Sequence, residues 1–300
     1  MTMRVVERVG ELQELCRRHQ RAGGEVALVP TMGALHAGHL SLVRAARSRR
    51  HDLVVASIFV NPLQFGPGED LARYPRPLDA DTAALAAAGV DILFHPSVEE
   101  MYPDGNATRV VPGPVADLYE GAIRPGHFVG VATVVTRLFG AALADNVYFG
   151  QKDAQQVAVI RATVRDLALP VRRLEVCPTV RERDGLAMSS RNGYLTEAEW
   201  ADALVLSRSL AEVQRQYQAG THDGDTLVSR LKAVLATRPA VVVDYADIVD
   251  GETFRPAAPG RLDGALAVVA ARVGRTRLID NCSPAGNELL KFAPLDLQTA

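Results

Sequence analysis

His36 and His39 stand three residues apart in the passage Thr31-Met32-Gly33-Ala34-Leu35-His36-Ala37-Gly38-His39. An apolar run, Val26 to Val29, precedes it, and a helical pattern starts near Leu40. Strand, glycine-bearing loop and helix start together make a place where phosphate can be held. The N–H groups of a first helical turn lack intrahelical partners, and the aligned peptide dipoles put partial positive charge there. Rings at positions i and i+3 lie on one side of that turn. Gly33 and Gly38 remove Cβ atoms where a phosphate would need close backbone approach. The string is not a P-loop, which ends in Gly-Lys-Ser/Thr, and it is not GxGxxG. Two other readings stay open. The pair could ligate a metal, although no Cys, Asp or third His sits at useful local spacing. The rings could also simply cap the loop.

Three further loops carry polar chemistry. Phe149-Gly150-Gln151-Lys152-Asp153-Ala154-Gln155-Gln156 again lies between an apolar strand and a helix. A lysine there can neutralise phosphate charge, and an aspartate can accept from ribose hydroxyls, although both residues also suit an ordinary helix start. Leu186-Ala187-Met188-Ser189-Ser190-Arg191-Asn192 sets two hydroxyls beside a guanidinium, which offers a planar fork of donors to an anion; it also reads as a hinge of small polar residues. Asn61 and Gln64 follow the second strand, and their amides suit hydroxyl and carboxylate oxygens as well as loop backbone.

The elements that must position these loops follow from periodicity. Leu12, Leu15, Cys16 and His19 predict a helix ending at Gly23-Gly24. Strands are expected at Val26–Val29, Leu53–Val60, Asp91–Phe94, Asn146–Phe149 and Val171–Val176. Helices are expected from Leu40, over Asp79–Ala88, Val131–Leu143 and Ala154–Leu167, with an irregular, proline- and glycine-rich stretch from His95 to Gly130. Strands alternating with helices predict an α/β fold, a doubly wound, Rossmann-like parallel sheet that binds ligands at strand carboxyl ends. After Pro178 the pattern changes. Thr196 and Glu199 form a capping box opening a long helix to about Ala219, a second helix spans Asp225–Thr237, and strands follow at Val241–Ile248, Ala265–Val273 and Thr276–Ile279. Gly274-Arg275 is a hairpin turn between the last two. This predicts a smaller α+β C-terminal domain, and the chain divides into residues 1–178 and 179–300. The tail after Asn281 is expected to be loosely ordered.

Composition sets bounds. Three hundred residues bury a sizeable core, and a net charge of −2 gives no basic field for nucleic acid or anionic lipid. Arg44, Arg47, Arg49 and Arg50 read as a solvated helix end. Met1–Gln13 mixes Arg and Glu and does not read as a signal peptide, and no apolar run is long enough to span a membrane. Cys16, Cys177 and Cys282 are odd in number and far apart, without metal spacing or a disulfide framework. A cytoplasmic protein is expected.

Five ordered blocks resemble the pantothenate synthetase (pantoate–β-alanine ligase) family of the HxGH nucleotidyltransferase superfamily. They are Val29 to His39, Ser57 to Phe65, Arg124-Pro125-Gly126-His127-Phe128, Phe149 to Gln156, and Asp184 to Asn192, with Arg277-Leu278-Ile279-Asp280-Asn281 near the end. The resemblance implies ATP-dependent amide formation: pantoate attacks the α-phosphate of ATP, and β-alanine then displaces AMP from pantoyl adenylate to give pantothenate, the coenzyme A precursor. A bound mixed anhydride needs no Ser, Cys or Lys nucleophile, so catalysis is positioning and charge stabilisation.

By the family pattern, Met32, Gly33, Ala34, Leu35, His36, Ala37, Gly38 and His39 lie along the ATP phosphates, with His39 as proton donor and His36 beside it. Lys152 is the third catalytic candidate and, with Ser189, Ser190 and Arg191, holds the pyrophosphate. Gly150 and Asp153 meet the ribose, with Gln151 between them, and the backbones of Val180 and Met188 meet the adenine edge. Gln64 and Gln156 orient pantoate and β-alanine, with Asn61 in support. The resemblance further implies Mg²⁺ with ATP, closure of the C-terminal domain over the nucleotide, and a homodimer, with no nucleic-acid or membrane partner. The chain departs from the pattern twice. Many relatives carry Glu where Gln151 stands. Some have adjacent carboxylates where this chain has Asp79-Ala80-Asp81, which leaves ATP oxygens, water and Asp81 for the metal. Rival readings are a nucleotidyltransferase that adenylylates a phosphate ester and stops, a non-catalytic ATP-binding module, and an RNA-binding protein, the last opposed by the charge.

Overall fold

The computed structural model describes residues 3–48, 52–258, 260 and 262–286. The first unit begins with β1 (Arg4–Val6), α1 (Val9–Arg21), β2 (Glu25–Thr31), α2 (Ala37–Arg47) and β3 (Asp52–Ile58). It continues with α3 (Leu78–Ala87), β4 (Ile92–Phe94), α4 (Val98–Met101), α5 (Glu120–Ile123), α6 (His127–Ala142) and β5 (Asn146–Gly150). Then come α7 (Ala154–Asp166) and β6 (Arg173–Cys177). The strands form a six-stranded sheet of order β1-β4-β3-β2-β5-β6, parallel throughout. This is the expected doubly wound parallel sheet.

Val26, Ala27, Leu28 and Val29 of β2 are fully buried, as a central parallel strand covered on both faces requires. Each such valine or leucine contributes roughly 1.5–3 kcal/mol by leaving water, so the strand holds its terminal loop on a fixed base. Leu42, Val43 and Ala46 of α2 pack on Val29, Val54 and Ala56 of the sheet. From β2 the chain winds outward to β3 and β4, then returns to place β5 on the other side of β2. The order therefore reverses between β2 and β5. Crevices at such reversals, outside the strand carboxyl ends, are where these sheets take ligands.

The second unit holds α8 (Glu197–Gln218), α9 (Gly224–Leu235), β7 (Val241–Asp250), β8 (Ala265–Val273) and β9 (Thr276–Cys282). The strands form an antiparallel sheet of order β7-β8-β9. Leu206, Leu210 and Val213 of α8 and Leu227, Leu231 and Leu235 of α9 bury against Ile248, Ala267, Val269 and Ala271. Thr196 and Glu199 form the expected capping box, and Gly274 takes the positive φ of +57° that the hairpin turn needs.

Several details differ from the sequence reading. Arg4–Val6 is an edge strand paired with β4, although three residues carry too short a pattern to read. Helix α6 begins at His127, four residues before Val131, because Gly126 turns the chain in at φ +83°. Arg47 is not merely solvated: it pairs with Asp91 and donates to the Gly89 carbonyl. Arg49, Arg50 and the tail from residue 287 lie outside the described residues. By compactness, the second unit takes in Gln151–Ala158 as well as the described residues from Pro178 to Gly286.

Candidate active site

The loop after β2 is fastened from within. Its six residues from Gly33 to Gly38 turn through two successive positive-φ positions, Gly33 at +80° and Ala34 at +51°. The Gly33 N–H donates to Thr31 Oγ1 at 3.2 Å. The N–H groups of Ala34 and Leu35 donate to the carboxylate of Asp81 at 2.7 and 2.8 Å. His36 is the N-cap of α2; its Nδ1 accepts from the Gly38 N–H at 3.1 Å, while His39 Nδ1 accepts from the His36 N–H at 3.3 Å. The two rings thus form a capping box, with centroids 4.1 Å apart.

That geometry revises the expectation of unpartnered N–H groups at the helix start. Those of Gly33, Ala34, Leu35, His36 and Gly38 already have acceptors in the protein. It also assigns the tautomer. An Nδ1 that accepts a hydrogen bond carries no proton, so each neutral ring holds its proton on Nε2. The capping reading and the donor reading are therefore compatible: Nδ1 holds the loop, and the proton of each neutral imidazole sits on Nε2.

Asn61 and Gln64 follow β3. Asn61 is 1% exposed and fully committed. Its Nδ2 donates to Gln64 Oε1 at 3.0 Å and to the Gly130 carbonyl at 3.1 Å, and its Oδ1 accepts from the Leu63 N–H and from the Tyr102 hydroxyl. Gln64 Nε2 in turn donates to Met32 Sδ at 3.2 Å, which brings the amide loop against the histidine loop. Gly130 is required here: a Cβ on it would stand 2.3 Å from the Leu63 carbonyl oxygen.

A second fastening holds the backbone of Gln64. The Gln64 carbonyl accepts from His127 Nδ1 at 2.9 Å, and His127 Nε2 accepts from Arg124 at 3.1 Å. Arg124 also forks onto Glu69 at 2.8 and 2.6 Å. Burial, reinforced by the Arg124 charge, pushes the His127 pKa down to about 4. Burial raises the Glu69 carboxyl, but the Arg124 hydrogen bonds and charge outweigh it and hold the group below its ordinary range. The Arg124–Phe128 string carries the family resemblance, but nothing in its spacing marks a role for these residues. No local motif marks Tyr102, whose hydroxyl reaches Asn61 across 41 residues.

In the second unit, Gln151–Asp153 form a single 3-10 turn ahead of α7. Lys152 Nζ lies 3.6 Å from Asp153 Oδ1. Asn281 of β9 donates from Nδ2 to the carbonyls of both Gln151 and Lys152 at 2.9 Å, which anchors the turn. Gln155 is buried and Gln156 half-buried at the start of α7. The stretch from Val180 to Met188 is a small hairpin. The Met188 N–H donates to the Val180 carbonyl at 3.0 Å, and Arg181 pairs with Ala187. Arg181 forks onto the buried Asp280 at 2.6 and 3.0 Å. Ser189 Oγ accepts from the Arg191 N–H, and Asn192 donates to the Ala187 carbonyl, so Ser189, Ser190 and Arg191 sit on a formed turn.

The chemistry open to these residues is electrostatic. Cys16, Cys177 and Cys282 are buried without disulfides, and burial pushes their thiols to about 12, about 11 and about 12, so none is a ready nucleophile. Among the described residues no group of three or more His, Cys, Asp or Glu could hold a metal ion. Both Asp81 oxygens already serve the loop. The donor set therefore fits a metal that arrives on a polyphosphate and keeps its waters, not one resident in a protein cage.

Fold and loop define the class: a Rossmann-like α/β protein of the HxGH nucleotidyltransferase type. Within it, the chain belongs to the pantoate–β-alanine ligase family, whose sequence profile, described as Pantoate-beta-alanine ligase, matches residues 4–283. It is 53% identical over 280 residues to the pantothenate synthetase of Koribacter versatilis, covering 93% of this chain and 95% of that one. Against the pantothenate synthetase of Roseiflexus castenholzii it is 52% identical over 286 residues, covering 93% and 99%. The crystal structure of pantothenate synthetase from Thermus thermophilus superposes with a TM-score of 0.86 at 49% identity, covering 94% of this chain and 99% of that one. A pantoate–β-alanine ligase from Francisella tularensis, solved with β,γ-ATP and β-alanine, gives 0.76 at 33% identity, covering 94% and 98%. The family reaction is the ATP-dependent condensation of pantoate with β-alanine through pantoyl adenylate.

Proposed function

We propose that this chain carries out that condensation with the residues singled out above. In the first step a pantoate carboxylate oxygen bonds to the α-phosphorus of ATP, and the bond to the leaving pyrophosphate breaks. In the second the amine of β-alanine bonds to the acyl carbon, loses a proton, and AMP leaves with the former carboxylate oxygen. The observation that carries the residue assignment is the tautomer of the histidine pair, with both Nδ1 atoms accepting from backbone at the start of α2. His39, with His36 beside it, then meets the phosphates with Nε2–H. Preset donors of that kind favour the charge that develops in the transition state.

The other roles rest on residue chemistry and on the family. Lys152, Ser189, Ser190 and Arg191 hold the pyrophosphate, Gly150 and Asp153 the ribose, and the backbones of Val180 and Met188 the adenine edge. Gln151, neutral where many relatives have Glu, lowers the negative charge beside the phosphates. Gln64 and Gln156 orient pantoate and β-alanine; Asn61, buried and saturated, holds Gln64 instead of touching substrate. Mg²⁺ enters with ATP and supplies charge neutralisation there. Residues 1–178 bind ATP and pantoate, and residues 179–300 bring Met188–Arg191 to the nucleotide and keep water from the adenylate. The protein works as a cytoplasmic homodimer, without nucleic-acid or membrane partners; no helix among the described residues is long and apolar enough to cross a membrane.

The test is AMP formation from pantoate, ATP and Mg²⁺ with and without β-alanine. Sustained AMP release that requires β-alanine establishes ligation. Pyrophosphate release without amide product would instead support a transferase that stops at the adenylate.

A further inference from the structure

Asp81 is a charged side chain only 3% exposed, yet it belongs to no role in the reaction above. It stands in the first turn of α3, 47 residues from the loop it touches. Each of its oxygens accepts one backbone N–H, from Ala34 and from Leu35. Successive backbone N–H groups of a turn form a concave nest for an anion, and here the Asp81 carboxylate fills the one made by Ala34 and Leu35. The packing is close. A Cβ on Gly33 would fall 2.9 Å from Asp81 Oδ2 and 3.1 Å from Ile58 Cγ2, so residue 33 must be glycine for the carboxylate to seat. Ala34, a non-glycine at φ +51°, is held in a conformation L-residues avoid, and its N–H is one of the two that Asp81 takes.

We propose that Asp81 is a positioning residue of the histidine loop: it occupies the loop's own anion nest and fixes the approach to His36, so that the nest itself is closed to an incoming phosphate. The argument has two parts. A buried carboxylate that loses either N–H would be left charged and under-bonded, so the two bonds hold the loop in one conformation. A phosphate oxygen in the same nest would find its donors taken and a like charge in place. The same engagement argues against Asp81 as a magnesium ligand, since each oxygen already gives a lone pair to the loop and the group is buried away from a hydrated ion. The inference rests on the proposed function for its kinetic part only.

Asp81→Asn and Gly33→Ala test it from two sides. The first replaces one acceptor oxygen with an amide that must face an N–H. The second keeps the carboxylate, and any metal-binding capacity, but disturbs its seat. Amide exchange is measured on the full chain in EDTA without nucleotide, alongside kcat, the KM for ATP and the Mg²⁺ concentration for half-maximal rate. Ala34 and Leu35 should exchange roughly tenfold faster in both variants, as expected for loss of a charge-assisted bond in an otherwise folded protein. The kcat should fall in both, with the Mg²⁺ requirement unchanged. Unaltered exchange at Ala34 and Leu35, unaltered kcat, or a raised Mg²⁺ requirement in Asp81→Asn each overturns the proposal. If the wild-type protein forms no AMP from pantoate, the proposed function fails while the exchange measurement still decides the clamp.

Discussion

The guanidinium of Arg124 lies 3.1 Å from Nε2 of His127. A cation donating to that nitrogen requires the ring to be neutral, with its proton on Nδ1, where it donates to the Gln64 carbonyl. His127 thus has the opposite tautomer from His36 and His39, and the reason in each case is the partner at Nδ1: a carbonyl here, backbone N–H groups there.

This makes stability pH-dependent in a defined window. The folded His127 pKa is lowered to about 4, chiefly by burial and secondarily by Arg124, from an ordinary 6.5. Above 6.5 the ring is neutral in both states and the fold keeps its full stability. As pH falls from 6.5 toward 4, the unfolded chain takes up a proton that the folded chain refuses. Stability then declines, by up to about 3 kcal/mol from this group. Urea unfolding of wild type and His127→Gln between pH 7 and 4 should show the wild-type advantage shrinking across that window. Parallel curves would contradict it.

His39 has one observed contact and one proposed role that substitution can separate. Its ring accepts from the His36 N–H, and its Nε2–H is assigned to the phosphates. His39→Ala should slow adenylate formation roughly 10²–10³-fold, the usual loss for one donor to developing charge, and lower the melting temperature. His39→Gln places a good N3 capping residue there, so it should recover the melting temperature but not the rate. A pyrophosphate burst of wild-type speed in either variant would rule out the proton-donor role.

Gln64 and Lys152 should fail differently. A neutral amide suits hydroxyl and carboxylate oxygens, whereas an ammonium suits polyphosphate. Gln64→Ala is expected to raise the KM for pantoate and spare ATP binding, and Lys152→Ala to impair the nucleotide step and spare pantoate. Calorimetry with ATP distinguishes them, and loss of ATP binding in the Gln64 variant would show the assignment to be reversed.

Asn281 is predicted to act through the Lys152 turn. Its Nδ2 group serves the carbonyls of Gln151 and Lys152, and the residue is buried. Asn281→Ala leaves both acceptors without that donor, at about 1–3 kcal/mol of stability, and should weaken the use of ATP more than that of pantoate. Equal effects on the two KM values would mean that the residue supports the fold alone.

How much of this was legible in the chain depended on how far apart in sequence the partners lie. The apolar run Val26–Val29, the Thr196–Glu199 capping box, the Gly274-Arg275 turn and the order of strands and helices are written in neighbouring residues, because burial periodicity and turn chemistry are local. The residue types of the histidine, lysine and serine–arginine loops were legible for the same reason, and so was the family. Tertiary structure alone decided what those residues do with their atoms. Asp81 reaches Ala34 across 47 residues, Arg124 reaches Glu69 across 55, and Asn281 reaches Gln151 across 130. A hydrogen bond is directional and short, so its formation depends on where folding brings two groups, and no spacing in the chain encodes that. The sequence determined that two histidines would stand at a helix start at a strand's carboxyl end. The fold decided that their Nδ1 atoms would be used to hold the loop, and hence which nitrogen of each neutral ring carries the proton.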